Sequence, residues 1–301
     1  MSTTRTWVPP GPYDLVRNLS ILRRGPGDPA FRVDAEGAVW RASRTPQGPG
    51  TLRIAHRGGS IEAQAWGPGT QWLLDQLPAM LGAYDDVAGF RPRHRLVHEA
   101  HRRHPGLRLI RSGLVLESLV PSILEQKVTS DEAYRAWRLL LWRHGEPAPG
   151  PEMRLRVMPD ARAWALIPSW EWHRAGVDGK RSAAVVRAAR VARRLEEAAS
   201  MDLSRAMARL QAIPGIGPWT AAEVLQRSNG APDAVTVGDL HLPRIVGYAL
   251  TGERGTDDAA MLDLLAPYAD HRYRACRLIL LTGVTPPRRA PRFSPNDIRA
   301  L

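Results

Sequence analysis

One stretch, running from Leu210 to Arg244, constrains this chain more than any other: LQAIPGIGPWTAAEVLQRSNGAPDAVTVGDLHLPR. The composition of Leu203–Ala212 predicts a helix, and Pro214 stops it by biasing Ile213 away from helical dihedrals. Gly215 and Gly217 then make a two-glycine hairpin. Pro218 suits the first position of a second helix, carried by Trp219, Ala221, Ala222, Val224 and Leu225 and ended by Ser228-Asn229-Gly230.

A helix–PGIG–helix unit can bind an anion. Glycines lack a Cβ, so a phosphate can approach the backbone closely, and the free N–H groups at the second helix's start face it with the helix dipole behind them. Gly215, Ile216, Gly217 and Thr220 are the residues expected to grip a nucleic-acid backbone in this way, without reading bases. An ordinary helix–turn–helix corner explains a lone glycine pair equally well. The distinguishing feature is Asp239, 22 residues beyond Gly217, in VGDLHLPRIV.

IPGIGPWTA followed by VGDLHLPRIV resembles the helix-hairpin-helix DNA glycosylase superfamily, and within it the 3-methyladenine DNA glycosylase II branch. The resemblance covers residues 95–285 with the motifs in order, and the N-terminal part more loosely. It implies an α+β, predominantly α-helical chain. A small N-terminal antiparallel sheet domain with one helix is expected over 1–92, a two-lobed helical core with a cleft over 93–285, and a Pro/Arg tail over 286–301.

Composition agrees with a polyanionic partner. The formal charge is +12, which favours nucleic acid, although only Lys127 and Lys180 are lysines and a background arginine bias gives the same total. Hydrophobic residues make up 44 %, enough to bury a core. The one cysteine, Cys276, excludes internal disulfides and the four-cysteine iron–sulfur cluster that many members of the superfamily carry. No apolar run approaches membrane-spanning length and no apolar signal segment opens the chain, so a cytoplasmic, monomeric protein is expected.

Between Tyr13 and Trp66, alternation in Ala30–Val33, Val39–Ala42, Thr51–His56 and Ile61–Trp66 predicts an antiparallel meander, with residues 1–12 irregular. Thr70–Leu81 is expected to form a helix on that sheet, and Tyr84–Arg93 a linker. Four histidines in His94–His104 lack a carboxylate or cysteine partner set and read as a solvated basic face. Leu116 to Val128 carries an amphipathic stripe interrupted at Pro121. Its end, ILEQKVTS, resembles the superfamily segment that fills the gap left by an extruded base, which implies Gln126 and Lys127 as the wedge, with Val128 further out. The competing expectation is a polar helix end. Trp164, Trp170 and Trp172 are expected in the core, Trp170 being the one that best suits a base pocket.

Breaking an N-glycosidic bond leaves positive charge on the sugar, which a nearby carboxylate stabilises while it orients the attacking water. Asp239 stands at the family's catalytic position; a helix cap is the plainer role for an aspartate there. Superfamily members that also cut the strand carry a Schiff-base lysine where this chain has Trp219, so the resemblance implies base excision without lyase activity. A tryptophan face suits a cationic ring such as 3-methyladenine or 7-methylguanine. Glu223, one turn beyond Trp219, completes the expected pocket where relatives can have an aromatic residue, and Leu280 and Leu281 stand near a second aromatic position. No cofactor is required. The family's hairpin often holds a sodium or potassium ion on backbone carbonyls, here those of Ala212, Ile213 and Gly215. The expected function is a monofunctional glycosylase for alkylated bases in duplex DNA. The alternatives are a non-catalytic DNA- or damage-binding protein, a glycosylase for another lesion class, and a lyase acting through Lys127.

Overall fold

The structure, a computed structural model, describes residues 2–287. The expectations for the end of the Pro/Arg tail, from residue 288 onward, therefore lie outside the described residues.

Five antiparallel strands open the chain: β1 (Thr3–Trp7), β2 (Phe31–Val33), β3 (Val39–Thr45), β4 (Gly48–Arg57) and β5 (Ser60–Trp66), in the order β1-β5-β4-β3-β2. The tight Gly58-Gly59 turn sets the β4–β5 register, opposing Leu52 to Ala65 and Ile54 to Ala63. With a two-residue period, this puts Leu52, Ile54, Ile61, Ala63 and Ala65 on one buried face. The short helix α1 (Leu15–Leu19) and the helix α2 (Thr70–Met80) cover that face through Leu15, Leu19, Leu73, Leu77 and Met80. Residues 3–7 were expected to be irregular; they form an edge strand instead, because Thr3–Trp7 pairs with Ala65–Ile61. TTRTW has too few apolar positions to show a period of its own, and the partner strand supplies the order.

The helices follow as α3 (Arg95–Arg103), α4 (Val115–Leu124), α5 (Ser130–His144), α6 (Ala161–Leu166), α7 (Ser169–Arg174), α8 (Gly179–Arg190), α9 (Ala192–Glu196), α10 (Leu203–Gln211), α11 (Pro218–Ser228), α12 (Leu242–Thr251), α13 (Asp258–Leu265) and α14 (Arg272–Leu281). One core joins α4 to α11 through Leu119, Ile123, Trp137, Trp164, Val185, Leu210, Val224 and Leu225. A second joins α3 to α12–α14 through Val97, Val246, Met261, Leu265 and Ile279. Phe90 belongs to this second core, so the segment expected as a linker is a packed part of it. α4 ends at Leu124, earlier than its apolar stripe, and a turn over 125–127 follows. The helical chain beyond Gly179 divides at Val191 into α8 and α9, and α14 begins at Arg272.

Ion pairs fasten the sheet to the first helical core. Arg41 and Glu117 pair directly, Glu117 also accepts from the Arg44 backbone N–H at 2.9 Å, and Arg24 meets Glu125 at 2.9 Å. All four side chains of these two pairs are largely withdrawn from water, so loss of one member would leave an uncompensated charge. Among the described residues, no helix is long and apolar enough to cross a membrane, and no cluster of three or more histidine, cysteine or acidic residues could hold a metal.

Candidate active site

The hairpin between α10 and α11 is held from three sides. Ile216 is buried in the first core and its N–H donates to Ile213 O at 3.0 Å, closing the turn. Gly215 has φ +96°, a conformation only glycine adopts without strain, and a Cβ there would stand 3.0 Å from Ala184 Cβ on α8. From the same helix, Arg187 Nε donates to Pro214 O at 3.0 Å. Gly217 then leads into Pro218 at the first helical position, and the N–H groups of Trp219 and Thr220, with no helical acceptor one turn back, point out of the helix start.

Gln126 makes the third attachment. Its Nε2 donates to Gly215 O at 2.9 Å and to Thr220 Oγ1 at 2.8 Å. The turn that presents it is fixed from behind by the buried Arg181, which donates to Leu124 O at 2.8 Å and to Gly176 O at 3.1 Å, with Asp178 as its ion-pair partner. Gln126 thus acts as a brace of the hairpin, whereas Lys127 is exposed at the tip with φ +54°. Of the two expected wedge residues, only Lys127 is left extended toward solvent. Of the carbonyls expected to hold a monovalent cation, Gly215 O accepts from Gln126 and Ile213 O from Ile216 N–H, each with a second lone pair to spare.

Asp239 joins the hairpin to the second core. Its Oδ1 accepts from the backbone N–H groups of His241 and Leu242, both at 2.8 Å, so it caps α12, which begins at Leu242 with Pro243 in its first turn. Its Oδ2 accepts from Trp219 Nε1 at 2.9 Å. Both side chains are half-buried. Asp239 and Trp219 therefore meet beside the hairpin's free N–H groups. Gly238, with φ +87°, turns the chain just before Asp239, and its N–H donates to Asp258 Oδ2 at 3.0 Å from the start of α13.

Trp219, Glu223 and Arg227 recur at one-turn spacing along α11. Glu223 Oε2 accepts from Arg227 Nη1 at 2.6 Å, and Arg227 Nε donates to Ile21 O at 3.0 Å. Burial works to lower the Arg227 pKa, but Glu223 and Glu125 outweigh it and hold that guanidinium above its ordinary value. The neighbouring Arg24 is lowered by burial despite Glu125. The expected pocket residue Glu223 thus lies in a network of charges. Trp170 does not join the group: it is 65 % exposed on α7, while Trp172, two residues on and so on the helix's other face, is buried and stacks against Trp164. Trp170 was expected in the core with its two neighbours, and its exposure places it outside that core.

Arg181 and Asp258 gave no signal in the sequence, because each acts on a distant backbone group that no local pattern encodes.

No protein-family model matches the chain. A stretch of 44 residues is 48 % identical to the probable bifunctional transcriptional activator/DNA repair enzyme AlkA of two strains of Mycobacterium tuberculosis, covering 15 % of this chain and 9 % of that protein. The chain therefore spans less than a tenth of the length of these curated relatives. Among solved structures, the 3-methyladenine DNA glycosylase from Archaeoglobus fulgidus superposes with a TM-score of 0.75 at 17 % identity, over 92 % of this chain and 97 % of the other. The 8-oxoguanine glycosylase/lyase of Clostridium acetobutylicum, in complex with double-stranded DNA, gives 0.70 at 11 % identity over 90 % and 91 %. These likenesses extend over nearly the whole of both chains and include sheet and helices alike. The chain shares its fold with these two DNA glycosylases.

Proposed function

We propose that this protein is a monofunctional DNA glycosylase that releases alkylated bases of the 3-methyladenine and 7-methylguanine type from duplex DNA. The observation that carries this is the position of Asp239, whose carboxylate is tied by Trp219 to the helix that begins at the phosphate-binding hairpin. A nucleotide whose backbone is held by the N–H groups of that hairpin and turned out of the stack would bring its sugar toward this acid.

As the bond from C1′ to the base nitrogen breaks, its electron pair leaves with the base and the sugar becomes cationic. Asp239 stabilises that cation and orients a water toward C1′, taking its proton as the new C–O bond forms. No covalent enzyme intermediate is needed, and Trp219 offers no amine to form one. The fold shared with a 3-methyladenine glycosylase supports the alkylated-base assignment; the fold shared with an 8-oxoguanine glycosylase/lyase keeps another lesion class as the alternative.

A second reading follows from the same contacts. Three donors already satisfy Asp239, so it can serve purely as a cap in a protein that binds DNA without cutting it. Base release from methylated duplex DNA, compared between wild type and Asp239→Asn, separates the two. Release by wild type alone, with DNA binding kept by both, supports the glycosylase. No release by either supports the binder. Borohydride trapping on an abasic strand is expected to give no adduct, and an adduct would assign a lyase, with Lys127 its candidate amine.

A further inference from the structure

The hairpin between α10 and α11 has beside it a positive charge that no carboxylate balances among the described residues. Arg187 on α8 is exposed, and its Nε donates to Pro214 O at 3.0 Å. That bond aims the rest of the guanidinium at the turn: Nη2 lies 3.4 Å from where a Cβ on Gly215 would stand. A Cβ is roughly 2.5 Å from its own residue's N, so Nη2 comes within roughly 6 Å of the Gly215 N–H. Neighbouring arginines are paired, Arg181 with Asp178 at the start of the same helix and Arg209 of α10 with Glu197. For Arg187 the Pro214 carbonyl is the only partner among the described residues.

The turn beside this charge is arranged for an acceptor. Ile216 N–H is spent on Ile213 O, whereas the N–H groups of Gly215 and Gly217 find no acceptor among the described residues, and Gly215 is open to solvent. The two carbonyls that would repel an anion there, Pro214 O and Gly215 O, each accept from a side chain, Arg187 and Gln126 respectively. The stretch Ile213–Gly217 has no acidic residue. A guanidinium has five N–H donors and the bond to Pro214 O takes the one on Nε, so those on Nη1 and Nη2 are left for a second acceptor. Such a set suits an oxyanion that already accepts from backbone N–H groups, because the neutral grip then becomes a charge-assisted one.

From this geometry we infer that Arg187 is a second ligand of the DNA phosphate seated on the hairpin, its Nε holding the turn while its Nη groups bind the phosphate. The inference rests on the reading of the hairpin as a DNA-backbone site. It needs nothing of Asp239, so it holds for a glycosylase and for a non-cutting binder alike. A phosphate contact reads no bases, so Arg187 contributes equally to damaged and undamaged DNA.

Arg187→Gln puts an amide nitrogen in the place of Nε, so a donor to Pro214 O is kept while the charge and the Nη groups are removed. Duplex binding by the full-length protein, followed from about 50 to 200 mM salt, separates a phosphate ligand from a neutral brace. Each phosphate neutralised releases counterions and contributes about −0.9 to the slope of log K against log salt. The variant is expected to lose about 0.9 of that slope and to bind about ten-fold more weakly at the low-salt end, with its melt unchanged. A slope equal to that of the wild type, with or without an affinity loss common to every salt, would overturn the inference. Arg187→Lys keeps the charge and is expected to keep the wild-type slope, so it serves as the measurement if the glutamine variant melts early; a reduced slope there would overturn the inference too. Methylated and undamaged duplexes should lose affinity by the same factor, and a loss confined to one of them would tell against a backbone contact. No DNA binding by the wild type would remove the hairpin reading and this inference together.

Discussion

The indole N–H of Trp219 donates to Asp239 Oδ2 at 2.9 Å, across 20 residues of sequence and between the two helical cores. Because Oδ1 is spent on capping α12, this bond fixes the remaining freedom of the carboxylate. The same tryptophan sits in the first turn of α11, directly after the hairpin. The proposed phosphate grip and the proposed acid therefore share one rigid connection.

Trp219→Phe keeps an aromatic side chain and removes the donor. Base release is expected to slow by about one to two orders of magnitude, because a hydrogen bond to a charged group contributes roughly 1.5–3 kcal/mol. The fold should survive, since Trp219 is half-buried and Asp239 keeps its two backbone donors. Single-turnover release together with a thermal melt checks this. Unchanged release would mean that the bond does not orient the acid.

Gly215→Ala tests the hairpin. At φ +96° any Cβ is strained, at a cost of roughly 1–2 kcal/mol for an L-residue in left-handed backbone. The new methyl also presses on Ala184 Cβ at 3.0 Å. DNA binding is expected to weaken about ten-fold as the N–H groups lose their alignment. Gly217 is the internal control: it has φ −94° and nothing within 4 Å of a would-be Cβ, so Gly217→Ala should disturb the hairpin less. Equal effects on affinity at both positions would contradict the role given to Gly215.

The hairpin, the helix after it and Asp239 were legible because local chemistry dictates them: Pro214 stops one helix, Pro218 starts the next, and two glycines fill the turn between. The sheet's inward residues were legible from their alternation. What the sequence could not reveal depends on partners far along the chain. β1 is ordered only by β5, Gln126 is recruited by Gly215 and Thr220, and the placement of Glu223 among charges depends on Arg227 and Arg24. Trp170 was misjudged for a related reason. Three tryptophans lie close together in sequence, and nothing local says which two the core will take.

Gln126 separates bracing from gap filling. Gln126→Ala leaves the buried hydroxyl of Thr220 without its donor and frees Gly215 O, so a loss of roughly 1–3 kcal/mol in stability is expected, with weaker DNA binding. Lys127→Ala, at the exposed turn tip, should leave the melt unchanged and slow base release instead, as a wedge would require. An unchanged melt in Gln126→Ala would refute the brace.

The second helical core should make stability depend on pH just below neutrality. Burial, then the charges of Arg274, His98 and Arg108, hold the His101 imidazole below its ordinary pKa of 6.5, and its ring meets Phe90 edge-on at 5.4 Å between centroids. The unfolded chain therefore takes up this proton at a higher pH than the folded one. The contribution of neutral His101 is fully present above pH 6.5 and is lost as pH falls from there through the folded value. His104 and His144 are lowered in the same direction, each chiefly by burial, and should reinforce the slope. Melting curves taken downward from neutral pH, before the carboxylates titrate at about pH 4, are expected to show a falling transition temperature. His101→Gln, which cannot take up the proton, should flatten that fall without abolishing it. A slope identical to that of the wild type would show that His101 carries none of this linkage.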